Sequence, residues 1–123
     1  MTVLLVLLGG AVGAPARYLT DRALQRRSNG VFPWGTLCVN VIGSLILGAV
    51  AAAVYAGSAP EWVLTLVGTG FCGALTTFST FGYETVRLLE DGARGQALAN
   101  AAVSLVLGML ACAVGWWGTN ALV

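Results

Sequence analysis

A run of glycines and hydroxyl side chains interrupts an apolar segment at residues 70–81. The run contains Gly70, Gly73, Thr76, Thr77, Ser79 and Thr80, together with two phenylalanines, Phe78 and Phe81. Glycine lowers helix propensity, and threonine hydroxyls compete for backbone carbonyls. A helix broken here inside a membrane would present carbonyls to cations and amides to anions. A kinked helix that packs on a neighbour through its small residues fits the same pattern. We expect Gly73 to adopt unusual backbone torsions that a β-branched residue would resist.

The second apolar segment carries a polar stripe. Thr36, Asn40 and Ser44 are spaced four residues apart and therefore share one face of a helix. An asparagine in a membrane can join two helices by hydrogen bonds, or it can line a pore and replace water around an anion. Asn100 and Ser104 repeat the same spacing in the last segment.

The composition excludes several classes of function. The chain contains no histidine, and its five carboxylates lie mostly at the ends of apolar segments. Neither a zinc site nor general acid–base catalysis fits such a residue set, so we do not expect an enzyme. The net charge of +1 offers no surface for nucleic acid.

Long stretches without charged residues dominate the sequence. Charged residues make up only 9% of the 123 residues, against roughly 25% in an average soluble domain. The uncharged runs at 31–60, 62–83 and 95–123 each exceed the roughly 20 residues that cross a bilayer as a helix. We predict an all-α membrane protein with transmembrane helices at about 3–25, 34–56, 61–90 and 95–118, the third broken near 70–77. Because so small a chain cannot easily enclose a pore alone, we expect it to form an oligomer.

The arginines are distributed unevenly. Arg17 lies inside the first predicted helix, where it either extends to the membrane interface or attracts anions into a vestibule. Residues 22–30 are interpreted as a basic first loop. With four helices, the remaining arginines all fall on one side of the membrane; they are Arg22, Arg26, Arg27, Arg87 and Arg94. Since arginines in short loops favour the cytoplasm, we expect one preferred orientation, with both termini outside. The acidic residues among these arginines could instead mask enough charge to permit insertion in both orientations.

Three blocks of sequence resemble the signature blocks of the Fluc (CrcB) fluoride channels. They are GGAVGAPARY at residues 9–18, PWGTLCVNVIGS at 33–44 and GFCGALTTFSTF at 70–81. They occur in the family's order and at its spacing, and the third is highly specific. The last helix is similar to the family only loosely.

The resemblance implies an antiparallel dimer of four-helix subunits in the cell membrane, with two fluoride pores and one structural sodium ion. By this likeness the carbonyls of Gly73 and Thr76 bind the sodium ion, and Arg17 lies near the vestibule. The residues that resemble the fluoride path are Asn40, Phe78, Phe81, Thr36, Ser79, Thr80, Ser104 and, at its outer end, Asn100. Fluoride would leave the cell passively. The orientation bias leaves open whether the partner is a second copy or a homologous subunit of opposite orientation.

Two other functions fit a four-helix chain of this length. A small multidrug exporter would need an ionisable residue in mid-membrane, usually in the first helix, but residues 1–16 contain none. A non-conducting subunit whose partner forms the ion path would not need Asn40, Phe78 and Phe81. Both alternatives are therefore weaker than a fluoride channel.

Overall fold

All regular structure is helical in a computed structural model, which describes residues 1–28 and 30–123. The helices are α1 (Thr2–Arg27), α2 (Trp34–Tyr55), α3 (Glu61–Val63), a π-helix (Leu64–Cys72), α4 (Gly73–Leu75), α5 (Phe78–Glu90) and α6 (Arg94–Leu122). Four spans are long and apolar enough to cross a membrane: α1, α2, the composite third span Glu61–Glu90, and α6. The predicted all-α fold with four spans is confirmed, and the chain is a multi-pass membrane protein.

Helix α1 is longer at its C-terminus than the sequence suggested. It continues to Arg27 and ends at Ser28, whose φ of −101° and ψ of 125° are extended. Arg22, Arg26 and Arg27 therefore lie on the last turns of a helix, and the interpretation of residues 22–27 as a loop is wrong. The reason is that arginine is a good helix former and is favourable near a helix C-terminus. Residue 29 of the predicted loop lies outside the described residues.

Glycines allow α1 to pack closely on the π-helix. A methyl group added at Gly9 would collide with the backbone at Leu66 and Phe71, and one added at Gly13 would meet the Phe71 carbonyl. On the other side of the contact, a methyl group at Gly70 would lie 3.0 Å from the Gly9 Cα. Helices in membranes associate through such small residues because van der Waals packing drives their association.

Helices α2 and α6 form the second close contact of the bundle. A Cβ at Gly48 would meet the Cys112 carbonyl, and a Cβ at Gly115 would meet the Leu45 carbonyl. The two backbones thus approach each other through reciprocal glycines. This contact holds α2, the helix that carries Asn40, against α6.

The third span departs from α-helical geometry over a longer stretch than predicted. The π-helix occupies Leu64–Cys72, and the chain is extended at Thr76 (φ −77°, ψ 156°) and Thr77 (φ −149°, ψ 121°). A break near 70–77 is confirmed, whereas the π-helix before it was not foreseen. The expectation of unusual torsions at Gly73 is wrong, since its φ of −61° and ψ of −35° are those of an ordinary helix. The strain-free break consists of two threonines, which adopt extended torsions readily.

Candidate functional site

The side-chain amide of Asn40 holds the break in the third span. Its Oδ1 accepts a hydrogen bond of 2.7 Å from the Thr77 amide, and its Nδ2 donates one of 3.0 Å to the Thr77 carbonyl. Asn40 thereby pairs with both backbone groups of one extended residue, as a neighbouring β-strand would. One Nδ2 hydrogen remains available, because the amide group has two donors.

This pairing frees carbonyl groups on the preceding turn. In a continuous α-helix the Thr77 amide would donate to the Gly73 carbonyl, four residues earlier. Here that amide donates to Asn40, and the chain turns away at Thr76. The last carbonyls of α4 therefore lack donors from the helix itself. The Cys72 carbonyl, by contrast, accepts both the Thr76 amide at 2.9 Å and the Thr76 hydroxyl at 2.8 Å.

The Thr77 hydroxyl begins α5 and is the centre of a small hydroxyl cluster. Its Oγ1 accepts the Thr80 amide at 3.2 Å, which is the hydrogen bond of an N-terminal cap. The same oxygen lies 3.0 Å from the Thr80 hydroxyl and 3.4 Å from the Ser79 hydroxyl. Thr77 was not predicted as a site residue. The sequence feature that could have identified Thr77 is its position directly before the helical run that starts at Phe78, where a threonine can act as an N-terminal cap.

Two phenylalanines lie beside the break and face an open cavity. The rings of Phe78 and Phe81 have centroids 5.8 Å apart and planes inclined by 45°. Phe78 is 81% exposed in the single chain. The cavity has a volume of about 300 Å³, and its walls include Asn40, Ser44, Gly73, Thr76, both phenylalanines and Ser104.

A second cavity of about 450 Å³ lies at the arginine-rich end of the bundle, with Thr80, Glu84 and Arg87 among its walls. Thr36 is 2% exposed, and its hydroxyl donates a hydrogen bond to the Glu84 carboxylate. Glu84 was not predicted as a site residue, although it ends the uncharged run at 62–83, three residues after Phe81. The Thr36 hydroxyl joins α2 to α5 through this carboxylate, one turn of α2 away from the Asn40 pairing.

Asn100 and Arg17 lie away from the two cavities. Asn100 is 0% exposed, donates to the Thr85 hydroxyl at 2.8 Å and accepts from the Ser104 hydroxyl at 3.3 Å. It joins α6 to α5 rather than lining a cavity wall, because its neighbour Thr85 supplies the partner that a buried amide requires. Arg17 is half-buried and follows Gly13 by one turn on α1.

The sequence matches the family described as "CrcB-like protein, Camphor Resistance (CrcB)" over residues 4–116. The chain belongs to the CrcB family. It is 58% identical to the fluoride-specific ion channel FluC 1 of Frankia casuarinae over 120 residues, which cover 94% of this chain and 93% of that protein. It is 52% identical to FluC 1 of Streptomyces avermitilis, over 99% of this chain and 98% of that protein. The fluoride-specific ion channel FluC 2 of Mycobacterium bovis is 46% identical, over 91% of this chain and 86% of its own length.

Membership of the CrcB family confirms the resemblance of the three sequence blocks. The interpretation as a multidrug exporter is therefore wrong. In the CrcB chain, the second and third blocks meet at the Asn40–Thr77 pairing. The first block supplies the glycines of α1 that pack against the π-helix of the third span.

We expect Thr77→Val to destabilise the purified protein and Thr77→Ser to leave its stability nearly unchanged. Valine keeps the shape of threonine but cannot accept the Thr80 amide, and the loss of such a cap costs about 0.5–2 kcal/mol. The measurement is the midpoint of thermal unfolding in detergent micelles. Equal midpoints for the valine variant and the unaltered protein would contradict the capping role of this hydroxyl.

Proposed function

We propose that this protein is a fluoride-selective channel that lets fluoride leave the cell passively across the cell membrane. The observation that carries the proposal is that Asn40, Phe78 and Phe81 share the wall of one cavity beside a broken membrane helix. Its relatives are named fluoride-specific ion channels, and from those names we infer that the permeating ion is fluoride.

The chemistry of this wall suits a small anion. Aromatic rings have a positive edge, so fluoride can lie beside the edges of Phe78 and Phe81. Fluoride accepts hydrogen bonds strongly, and the free Nδ2 hydrogen of Asn40 together with the Ser104 hydroxyl can replace part of its hydration in this cavity. Beyond this wall the hydroxyls of Ser79 and Thr80 can do the same, and Thr80 lines the second cavity. No arginine is among the residues that form this cavity. Weak binding at several places is what conduction requires, since a tightly bound ion would not leave.

The residues of the break also fit a structural sodium ion. Sodium is a hard cation that takes oxygen ligands. The Asn40 pairing diverts the Thr77 amide from the Gly73 carbonyl, and the Thr77 hydroxyl diverts the Thr80 amide from the Thr76 carbonyl, so both carbonyls lack their helical donors. A Cβ at Gly73 would have no heavy atom within 4 Å, so the space beside its backbone is open. The Thr76 hydroxyl is turned back to Cys72, which leaves the carbonyl as the Thr76 ligand. When bound, the ion would supply positive potential beside the anion path.

A partner subunit completes the proposed pore. The cavity beside the break is open in the single chain, and irregular backbone at membrane depth requires protein or a water-filled cavity against it. We assign this role to an antiparallel partner, which would cover Phe78 and duplicate the path.

The arginine distribution bears on the identity of that partner. Arg22, Arg26 and Arg27 are at the C-terminal end of α1, Arg87 is near the end of α5, and Arg94 begins α6. These helix ends belong to one side of a four-span topology. A chain that inserts in one orientation would pair with a homologous subunit of opposite orientation, whereas dual insertion would permit a homodimer. The charge asymmetry favours the first case.

Reconstitution in liposomes tests the pore. We expect efflux of fluoride but not chloride, measured with ion-selective electrodes. Phe81→Ile removes a ring edge and Asn40→Asp places a negative charge on the path, so each variant should slow fluoride efflux by about tenfold or more. The matched controls are Phe32→Ile, at a ring that packs on Trp34, and Asn120→Asp, at an exposed end of α6. Near-normal efflux from both cavity variants would remove these residues from the mechanism, and absence of efflux from the unaltered protein would favour a non-conducting subunit.

Removal of sodium tests the cation site independently of flux. Because a ligand stabilises the folded state that binds it, we expect a higher unfolding midpoint in sodium chloride than in N-methylglucamine chloride. Gly73→Val should reduce this difference, since its side chain would occupy the open space beside the carbonyl. Thr76→Ser should retain it, because the hydroxyl still reaches Cys72. The assignment fails if Gly73→Val keeps the full sodium-dependent shift.

Expression of this chain alone tests the orientation. A reporter whose signal depends on its compartment is fused to the C-terminus, and we expect signal from the outer side only. Moving the charge should abolish the bias: with Arg22→Gln, Arg26→Gln and Arg27→Gln combined with two lysines placed after Ala56, two arginines face two lysines, and we expect signal from both sides. Equal signal from both sides for the unaltered chain would establish dual insertion and a homodimer instead.

A further inference from the structure

Helix α1 has a continuous exposed face that changes from apolar to basic along its length. We call this face the outer stripe; its residues are Leu4, Leu8, Ala11, Pro15, Tyr18, Arg22 and Arg26, and all of them are exposed. They follow one another at intervals of three or four residues, which is the spacing of a single helical face. The glycines that pack on the π-helix, Gly9 and Gly13, are on the opposite side of α1.

The length of the outer stripe matches the membrane. From Leu4 to Arg22 the helix rises about 27 Å at 1.5 Å per residue, and the hydrocarbon core of a bilayer is about 30 Å thick. If Leu4 lies near one surface of the core, Arg22 lies near the other, at the level of the lipid headgroups. Arg26 follows one turn beyond. The apolar part of the stripe thus adjoins acyl chains, and the basic part adjoins phosphates.

The Arg22 guanidinium is held in place before any ligand arrives. Its Nη1 donates to the Tyr18 hydroxyl at 2.7 Å, and its Cζ lies 5.9 Å from the centroid of the Tyr18 ring. The partner is a neutral hydroxyl, so the positive charge is not neutralised. The nearest carboxylate in the sequence, Asp21, is turned into the protein, where its Oδ1 is buried against Gly35. Arg22 keeps four of its five N–H donors for an external group.

We propose that Tyr18, Arg22 and Arg26 form a binding site for the phosphodiester headgroup of an anionic phospholipid, with an acyl chain lying along the apolar part of the outer stripe. A guanidinium binds phosphate oxygens through paired hydrogen bonds, and the Tyr18 hydroxyl adds a donor at headgroup depth. The apolar continuation distinguishes a lipid from free phosphate, because only a lipid contacts both parts of the stripe. In the orientation proposed above, the arginine-rich end of the bundle lies at the cytoplasmic leaflet. The surface of this leaflet is negative where anionic lipids are present.

Native mass spectrometry of the purified protein tests the site, because orientation in a membrane does not matter in micelles. Equal amounts of phosphatidylglycerol and phosphatidylcholine of the same acyl chains are added, and we expect retained adducts of phosphatidylglycerol to predominate. Arg22→Gln with Arg26→Gln should weaken this retention about 25-fold, since each basic group near an anionic surface contributes about fivefold. Tyr18→Phe should weaken it less. Arg94→Gln, an exposed arginine at the same end of the bundle on α6, should leave it unchanged.

Two further arms separate the possible outcomes. Millimolar inorganic phosphate should not displace phosphatidylglycerol, and Leu8→Gln, within the apolar part, should weaken retention of the lipid. Unchanged fluoride efflux from phosphatidylcholine vesicles shows that the variants are folded; should the double glutamine variant fail there, Arg22→Lys with Tyr18→Phe replaces it. The proposal is overturned by full retention in the arginine variants, by an equal loss in Arg94→Gln, or by displacement with phosphate. Exclusion of lipid from the outer stripe by a partner subunit would overturn it as well.

Discussion

The pair of hydrogen bonds between the Asn40 amide and the backbone of Thr77 is the interaction on which the candidate site depends. A break in a membrane helix leaves polar backbone groups without partners, and each buried unpaired group costs about 1–3 kcal/mol. Asn40 satisfies the amide and the carbonyl of Thr77, one of the two extended residues of the break. The same contact diverts the donor that would otherwise pair with the Gly73 carbonyl. The Asn40 side chain therefore stabilises the break and leaves the Gly73 carbonyl without a helical donor.

Asn40 reaches Thr77 across a close contact between α2 and the third span, where a Cβ at Gly43 would collide with the Thr76 side chain. Gly48 and Gly115 bring α2 against α6, and Gly9 and Gly13 bring α1 against the π-helix. The third span is thus held from one side by α1 and from the other by α2. On α5, the Thr77 cap and the hydrogen bond from Thr36 to Glu84 fix the start and the middle of the helix that carries Phe78 and Phe81. The positions of these rings therefore depend in part on contacts outside the cavity beside the break, such as the hydrogen bond from Thr36 to Glu84.

The sequence was informative where a property depends on local composition. The four spans follow from uncharged runs, and the break follows from glycines and threonines crowded into residues 70–81. Properties that depend on a distant partner were not predictable in this way. Nothing in the spacing of Asn40 indicated that it pairs with a backbone group 37 residues away. Asn100 likewise has the spacing of a pore residue, yet it lies buried against Thr85 because α5 supplies a hydroxyl at that depth.

The structure differs from the sequence-based expectations at three places: the π-helix, Gly73 and the end of α1. The π-helix at Leu64–Cys72 contains two glycines and two threonines, but such residues do not distinguish a π-helix from a kinked α-helix, and the segment packs on α1 through Gly70 and Gly9. Gly73 suggested unusual torsions, but its lack of a side chain serves to leave space beside the backbone instead. The predicted basic loop is a helix end, because charge alone does not terminate a helix.

Asn40 leaves the Gly73 carbonyl without its helical donor, and the sodium-dependent stability of an Asn40→Leu variant tests this role most directly. Leucine fills a similar volume but cannot accept the Thr77 amide, which is then free to pair with the Gly73 carbonyl in a continuous helix. The measurement compares unfolding midpoints of the unaltered protein and Asn40→Leu in sodium chloride and in N-methylglucamine chloride. We expect sodium to raise the midpoint of the unaltered protein and to have no effect on Asn40→Leu. An equal sodium-dependent rise in both proteins would contradict the account.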